Sequence, residues 1–195
     1  MKKKLKINNK GFTIVELIVV FAITTALASF LIIYNKANNN QILLSLETAK
    51  LVDLINKAKS LSISTYTGKG LTCGYGIYID YGTNNYTLFK YGSPASSNEC
   101  NNIQSLNINN ILTNQTYYEL EKNYLPQNHK FEQNNDFLNM IFFIPPDPRV
   151  LIWKNNNALP KTENDPDYES NIYLSTKDNS FKKIINLNVA GQISF

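Results

Sequence analysis

Lys10-Gly11-Phe12-Thr13-Ile14-Val15-Glu16-Leu17 opens an apolar stretch, Phe12–Tyr34, whose one ionisable side chain before Tyr34 is Glu16. The preceding residues, Met1–Gly11, are basic and polar and carry Lys2, Lys3, Lys4, Lys6 and Lys10. As a helix, a stretch of this length rises about 35 Å, enough to cross a hydrocarbon core of about 30 Å. The lysines ahead of the span place the N-terminus in the cytoplasm and everything beyond Tyr34 outside it.

The net charge of +4 belongs to that leader. Subtracting its five lysines from 19 basic residues leaves 14 against 15 acidic ones, so the rest of the chain is near neutral. The pI of 8.9 therefore lends no support to nucleic-acid binding. The 29 asparagines read, where they cluster, as loops. An aromatic content of 12% is too high for a disordered chain and implies a packed core.

Three readings compete for the N-terminus. A cleaved secretory signal would use the A-x-A-like site Ala26-Leu27-Ala28, but the apolar run continues past it through Phe30, Leu31, Ile32 and Ile33. A plain membrane anchor leaves Glu16 as a liability of around 2.5–3.5 kcal/mol. The third explains the carboxylate: a basic residue, Gly, Phe, Thr and then Glu at fixed spacing resembles the prepilin processing site of type IV pilins and type II secretion pseudopilins. That resemblance implies cleavage between Gly11 and Phe12 by prepilin peptidase, N-methylation of Phe12, and retention of the apolar helix. It also assigns Glu16 to the α-amino group of a neighbouring subunit during assembly, since a buried carboxylate needs a cationic partner.

After the polar patch Asn35–Gln41, the residues Leu44, Leu51, Leu54, Ile55, Ala58 and Leu61 recur at helical spacing, with Lys50, Asp53, Lys57 and Lys59 between them. This predicts an amphipathic helix to about Thr65, with a bend or melted segment at the Asn cluster. From Gly68 the period changes. Gly74–Tyr81 and Tyr86–Tyr91 read as a hairpin across Gly82-Thr83-Asn84-Asn85. Met140–Ile144 and Val150–Lys154 pair around the rigid turn Pro145-Pro146-Asp147-Pro148, and Asn171–Ser175, Lys182–Val189 and Gln192–Phe195 supply the last strands. The expected fold class is α+β, a long transmembrane and amphipathic helix packed on an antiparallel β-sheet head. Its parts are a leader 1–11, an assembly helix 12–34, an amphipathic helix 35–66 and a β-rich head 67–195. Ala58–Ser64 near the helix end and Cys73-Gly74-Tyr75-Gly76-Ile77 opening a strand resemble the GspH/FimT branch of minor pilins.

Outside the cytoplasm, the even count of two cysteines suggests a disulfide between Cys73 and Cys100; in a reducing compartment they would be two buried thiols. Catalysis finds little support, because His129 is the only histidine and no nucleophile motif accompanies it. His129 is expected in an exposed loop, and Trp153 in the core. Glu163, Asp165, Asp167 and Glu169 could hold calcium through carboxylate oxygens, but a solvated acidic loop is the preferred account, because alternation alone does not make carboxylates converge. In some members of the fimbrial branch, basic residues near the C-terminus bind DNA. Here that stretch offers Lys177, Lys182 and Lys183 without arginine, so nucleic acid is not an expected partner.

The expectation is thus a non-enzymatic minor subunit, without cofactor, of a pseudopilus or type IV pilus. Its partners are prepilin peptidase, the inner-membrane assembly platform and other pilin or pseudopilin subunits. It is held in the cytoplasmic membrane with its head outside. The alternative is a tip-located binding module for DNA uptake or adhesion.

Overall fold

Helix α1 runs from Ile14 to Thr65 in the computed structural model, which describes residues 13–65, 72–92, 100–105, 107–134, 137–145, 149–154, 170–188 and 191–195. The chain divides into two compact units, one up to Asn40 and one from Gln41 to Phe195. In the first unit the described side chains from Thr13 to Leu31 are all exposed. A helix that is apolar on every side finds no cover within its own unit and needs an apolar surrounding from elsewhere. The backbone over 35–41 is helical, where a bend or melted segment was expected. Asn costs less than about 0.7 kcal/mol per helical position, a weak preference that context overrides.

In the second unit, α1 presents Leu44, Leu51, Leu54, Ile55 and Ala58 to the interior, each at most 3% exposed. Among the described residues, nine strands accompany it: β1 Thr72–Asp80, β2 Asn85–Gly92, β3 Tyr117–Tyr124, β4 His129–Phe131, β5 Leu138–Ile144, β6 Arg149–Lys154, β7 Ser170–Thr176, β8 Lys182–Leu187 and β9 Ile193–Ser194. They form two sheets where the sequence suggested one. The larger has the order β3-β2-β1-β5-β6 and the smaller β4-β7-β8-β9. All ladders between named strands are antiparallel.

Around β5 and β6 the larger sheet is buried on both faces. Along β5, Ile141 and Phe143 join the core shared with α1 and the smaller sheet, while Met140 and Phe142 join a second core on the opposite face. Strand β6 splits the same way, Val150 and Ile152 on one side and Leu151 and Trp153 on the other. Two-sided burial is why these strands read as unbroken apolar runs instead of alternating. The second core is roofed by a 3-10 turn, Cys100–Ser105, and by a short helix α2, Ile108–Leu112, through Ile103, Ile108 and Ile111. Asn107 caps α2, its side chain accepting from the Asn110 amide at 2.8 Å.

Polar side chains on α1 help fasten it to this unit. The Ser62 hydroxyl donates to the Phe143 carbonyl at 3.0 Å, Lys59 Nζ to the Gly191 carbonyl at 3.2 Å, and Lys57 Nζ meets Glu121 Oε2 at 2.6 Å. Small residues let β1 lie close to its neighbour: a Cβ on Gly76 would fall 2.5 Å from the Ile141 carbonyl and 2.6 Å from the Phe89 ring. In the β1–β2 turn, Asn84 adopts φ 51°. Its side-chain oxygen accepts from the Phe131 amide at 3.0 Å, which ties the hairpin to β4.

Candidate assembly site

The start of α1 is built by two residues. Glu16 Oε2 accepts from the Thr13 backbone amide and from the Thr13 hydroxyl, both at 2.8 Å. In return the Glu16 amide donates to the Thr13 hydroxyl oxygen at 3.3 Å, and the Thr13 carbonyl accepts from Leu17 at 3.2 Å. Thr13 is thus the N-cap and Glu16 the third helical residue of a capping box, which satisfies backbone donors that a helix start leaves open. A carboxylate near the positive end of a helix is favoured electrostatically as well. The two bonds to Glu16 occupy one of its oxygens. Oε1 makes no hydrogen bond among the described residues and can accept from a donor outside the helix.

The signature Thr-x-x-Glu ahead of an apolar run marks such a cap in the sequence itself, where the bare charge of Glu16 in lipid hides it. The cap lowers the cost of that charge, since a carboxylate with two donors at hand is less costly to place in an apolar medium than a bare one. The hydroxyls further along are also satisfied locally. Thr24 and Thr25 donate to the Phe21 carbonyl at 3.0 and 2.9 Å, and Ser29 to the Thr25 carbonyl at 2.9 Å. Ile14–Leu31 is long and apolar enough to cross a membrane. Gly11 and Phe12, where cleavage and methylation were expected, lie outside the described residues.

The remaining candidates fall elsewhere in the chain. Cys73 at the start of β1 and Cys100 at the start of the 3-10 turn are joined by a disulfide with Cα atoms 5.1 Å apart, and Cys73 packs in the second core. His129 does not sit in an exposed loop. It is 1% exposed in β4, opposite Thr176 of β7, because three residues of an Asn- and Gln-rich segment add as an edge to the smaller sheet. Trp153 is fully buried. Glu163, Asp165, Asp167 and Glu169 lie outside the described residues, as do Pro146–Pro148 of the expected rigid turn.

The three C-terminal lysines do not form one unopposed patch. Lys182 Nζ pairs with Glu132 Oε2 at 3.0 Å, and Lys177 shares its turn with Asp178. The Asp178 carboxyl is held down at about 2, first by the Thr176 hydroxyl and then by the side chain and amide of Ser180. It stays charged beside Lys177 at any physiological pH.

The family model described as the prokaryotic N-terminal methylation motif matches residues 6–32. No curated protein and no solved structure matches the chain. The matched segment holds the Lys10–Gly11–Phe12 junction, the Thr13–Glu16 cap and the apolar helix as far as Ile32. Over residues 6–32 the chain thus carries the N-terminal methylation motif that marks type IV prepilin-like proteins.

Proposed function

We propose that this chain is a minor structural subunit of a type II secretion pseudopilus or type IV pilus. Prepilin peptidase cuts between Gly11 and Phe12 and methylates the new amine of Phe12. The apolar helix then passes from the membrane into the core of a filament, and the β-rich head stays outside. Neighbouring subunits supply the apolar surroundings that residues 13–31 lack in the single chain.

The observation that carries this reading is the Thr13–Glu16 cap within the methylation motif. The cap holds one carboxylate oxygen on its own helix and leaves the other for a second donor. A methylated α-amino group of an adjacent subunit, at the same depth, has the charge to fill that place. Glu16 thus acts as a register mark as subunits stack, and the chemistry is mechanical assembly without a catalytic centre. Within this reading the disulfide-bonded opening of β1 favours the GspH/FimT branch of minor subunits. The inner-membrane assembly platform is the expected partner during extraction.

The test is the mass of the mature N-terminus from membranes that contain the peptidase. A chain beginning at methylated Phe12 supports the proposal. A chain beginning at Ser29, with the helix removed, defeats it.

A further inference from the structure

At one end of the smaller sheet lies a cavity of about 650 Å³, within the range of small-molecule sites. Its polar lining is Asn171, Asn186, Asn188, Gln192 and Ser194, completed by the Leu187–Ile193 pair. None of these side chains ionises. Register sets three of them side by side: Asn171 of β7 is opposite Asn186 of β8, which is opposite Ser194 of β9. Directly opposed residues have Cβ atoms about 5 Å apart, so their side chains can reach one small ligand together.

The lining is partly fixed and partly available. Asn188 Nδ2 donates to Gln192 Oε1 at 2.8 Å, and the Gln192 amide donates to Asn188 Oδ1 at 2.9 Å. Gly191 adopts φ 64°, and its amide donates to the Asn188 carbonyl at 2.9 Å. Asn186 and Ser194, both exposed, make no side-chain hydrogen bond among the described residues. The next cross-strand pair on the same face is Tyr173–Ile184, with Ile184 43% exposed. Polar amides therefore adjoin apolar surface.

This lining discriminates by charge. An anion or cation would enter without a counter-charge, and an apolar ligand would strand the amides and the hydroxyl without partners. An amide offers two donors and an acceptor, which matches a hydroxyl that both gives and takes a hydrogen bond. We infer that this cavity binds a neutral glycan, its hydroxyls held by Asn171, Asn186 and Ser194. The inference goes beyond the assembly role and does not depend on it, since every lining residue belongs to the head.

The experiment uses the full chain in a zwitterionic detergent without a sugar headgroup, applied to an array of neutral and charged oligosaccharides. A neutral saccharide bound there is then titrated free in solution. Asn186→Leu and Ser194→Ala should each weaken its binding, the first by about tenfold, the worth of one to two hydrogen bonds. Lys182→Gln should leave the affinity unchanged, and so should raising the salt. Thermal unfolding confirms that each variant keeps its fold, as expected for exposed positions. Failure of every neutral saccharide to bind would overturn the inference. So would affinity unchanged in both Asn186→Leu and Ser194→Ala, or binding confined to charged glycans and lost in salt.

Discussion

Glu16 and Thr13 hold each other: one carboxylate oxygen takes two hydrogen bonds from Thr13, and the Thr13 hydroxyl takes one back from the Glu16 amide. The residue that the proposed assembly needs is therefore already aimed by its own helix before any neighbour arrives. Opening the cap and recruiting a partner amine are separable events, and substitutions can tell them apart.

Thr13→Val keeps the shape of the side chain and removes its hydroxyl. Loss of an N-cap costs about 1 kcal/mol, or roughly fivefold in local opening. Amide hydrogen exchange of the full chain in micelles should accelerate by that factor at Glu16 and Leu17, whose amides donate to the Thr13 hydroxyl and carbonyl, and stay unchanged in the head. Uniform protection across both proteins would show that the cap contributes nothing.

Glu16→Ala should leave processing at Phe12 intact while lowering incorporation into filaments. The measurement is the ratio of sheared surface material to the membrane pool in cells carrying the assembly machinery. Wild-type incorporation of that variant would remove Glu16 from the proposed role.

Removing the disulfide with Cys73→Ala and Cys100→Ala together should lower the unfolding free energy by on the order of 3–4 kcal/mol, from the loop-closure model for a separation of 27 residues. The first part to loosen should be the roof of the second core, because Cys100 begins the 3-10 turn that carries Ile103. Denaturant midpoints and exchange at residues 103–112 would check both statements.

Gly76→Ala adds one methyl where the Ile141 carbonyl and the Phe89 ring stand within 2.6 Å. Backbone cannot step aside cheaply, so the cost should be about 1–3 kcal/mol. Gly82, whose added Cβ would meet Asp80 Oδ1 at 3.3 Å in an exposed turn, should tolerate alanine better. A larger midpoint shift for Gly82→Ala than for Gly76→Ala would contradict this.

Asp178 gives the head an acid-sensitive element. Its folded value of about 2 lies below the unfolded value of roughly 3.9. The stability it contributes is therefore complete above the unfolded value and is lost as pH falls toward 2. Asp80, Glu121 and Glu132 are displaced in the same direction, so the useful quantity is a difference. Between about pH 4 and 2 the urea midpoint of wild type should fall more steeply than that of Asp178→Asn.

Sequence patterns revealed the elements whose faces differ strongly and hid those whose faces do not. The β1–β2 hairpin was legible from its Gly- and Asn-bearing turn, and β5 and β6 from their apolar runs. Strand β3 was missed because it edges the larger sheet and is wet along most of its length, so Tyr118, Leu120, Lys122 and Tyr124 give no inward period. Strand β4 is three residues long, and burial of His129 comes from pairing with β7 that no local pattern announces. Division into two sheets depends on long-range pairing of the same kind. At the N-terminus the methylation motif and the span were legible, whereas the Thr13–Glu16 cap, written as Thr-x-x-Glu, was hidden behind the charge of Glu16 in lipid.

The placement of Ser62 bears on how the molecule withstands traction. Its hydroxyl grips the carbonyl of Phe143, which belongs to a strand flanked on both sides and wrapped in side chains above and below. Tension travelling down α1 would be delivered to the middle of the ladder, where rows of bonds must give way together, and not to a rim that could peel one residue at a time. The links to Gly191 and Glu121 share that load with two further parts of the body.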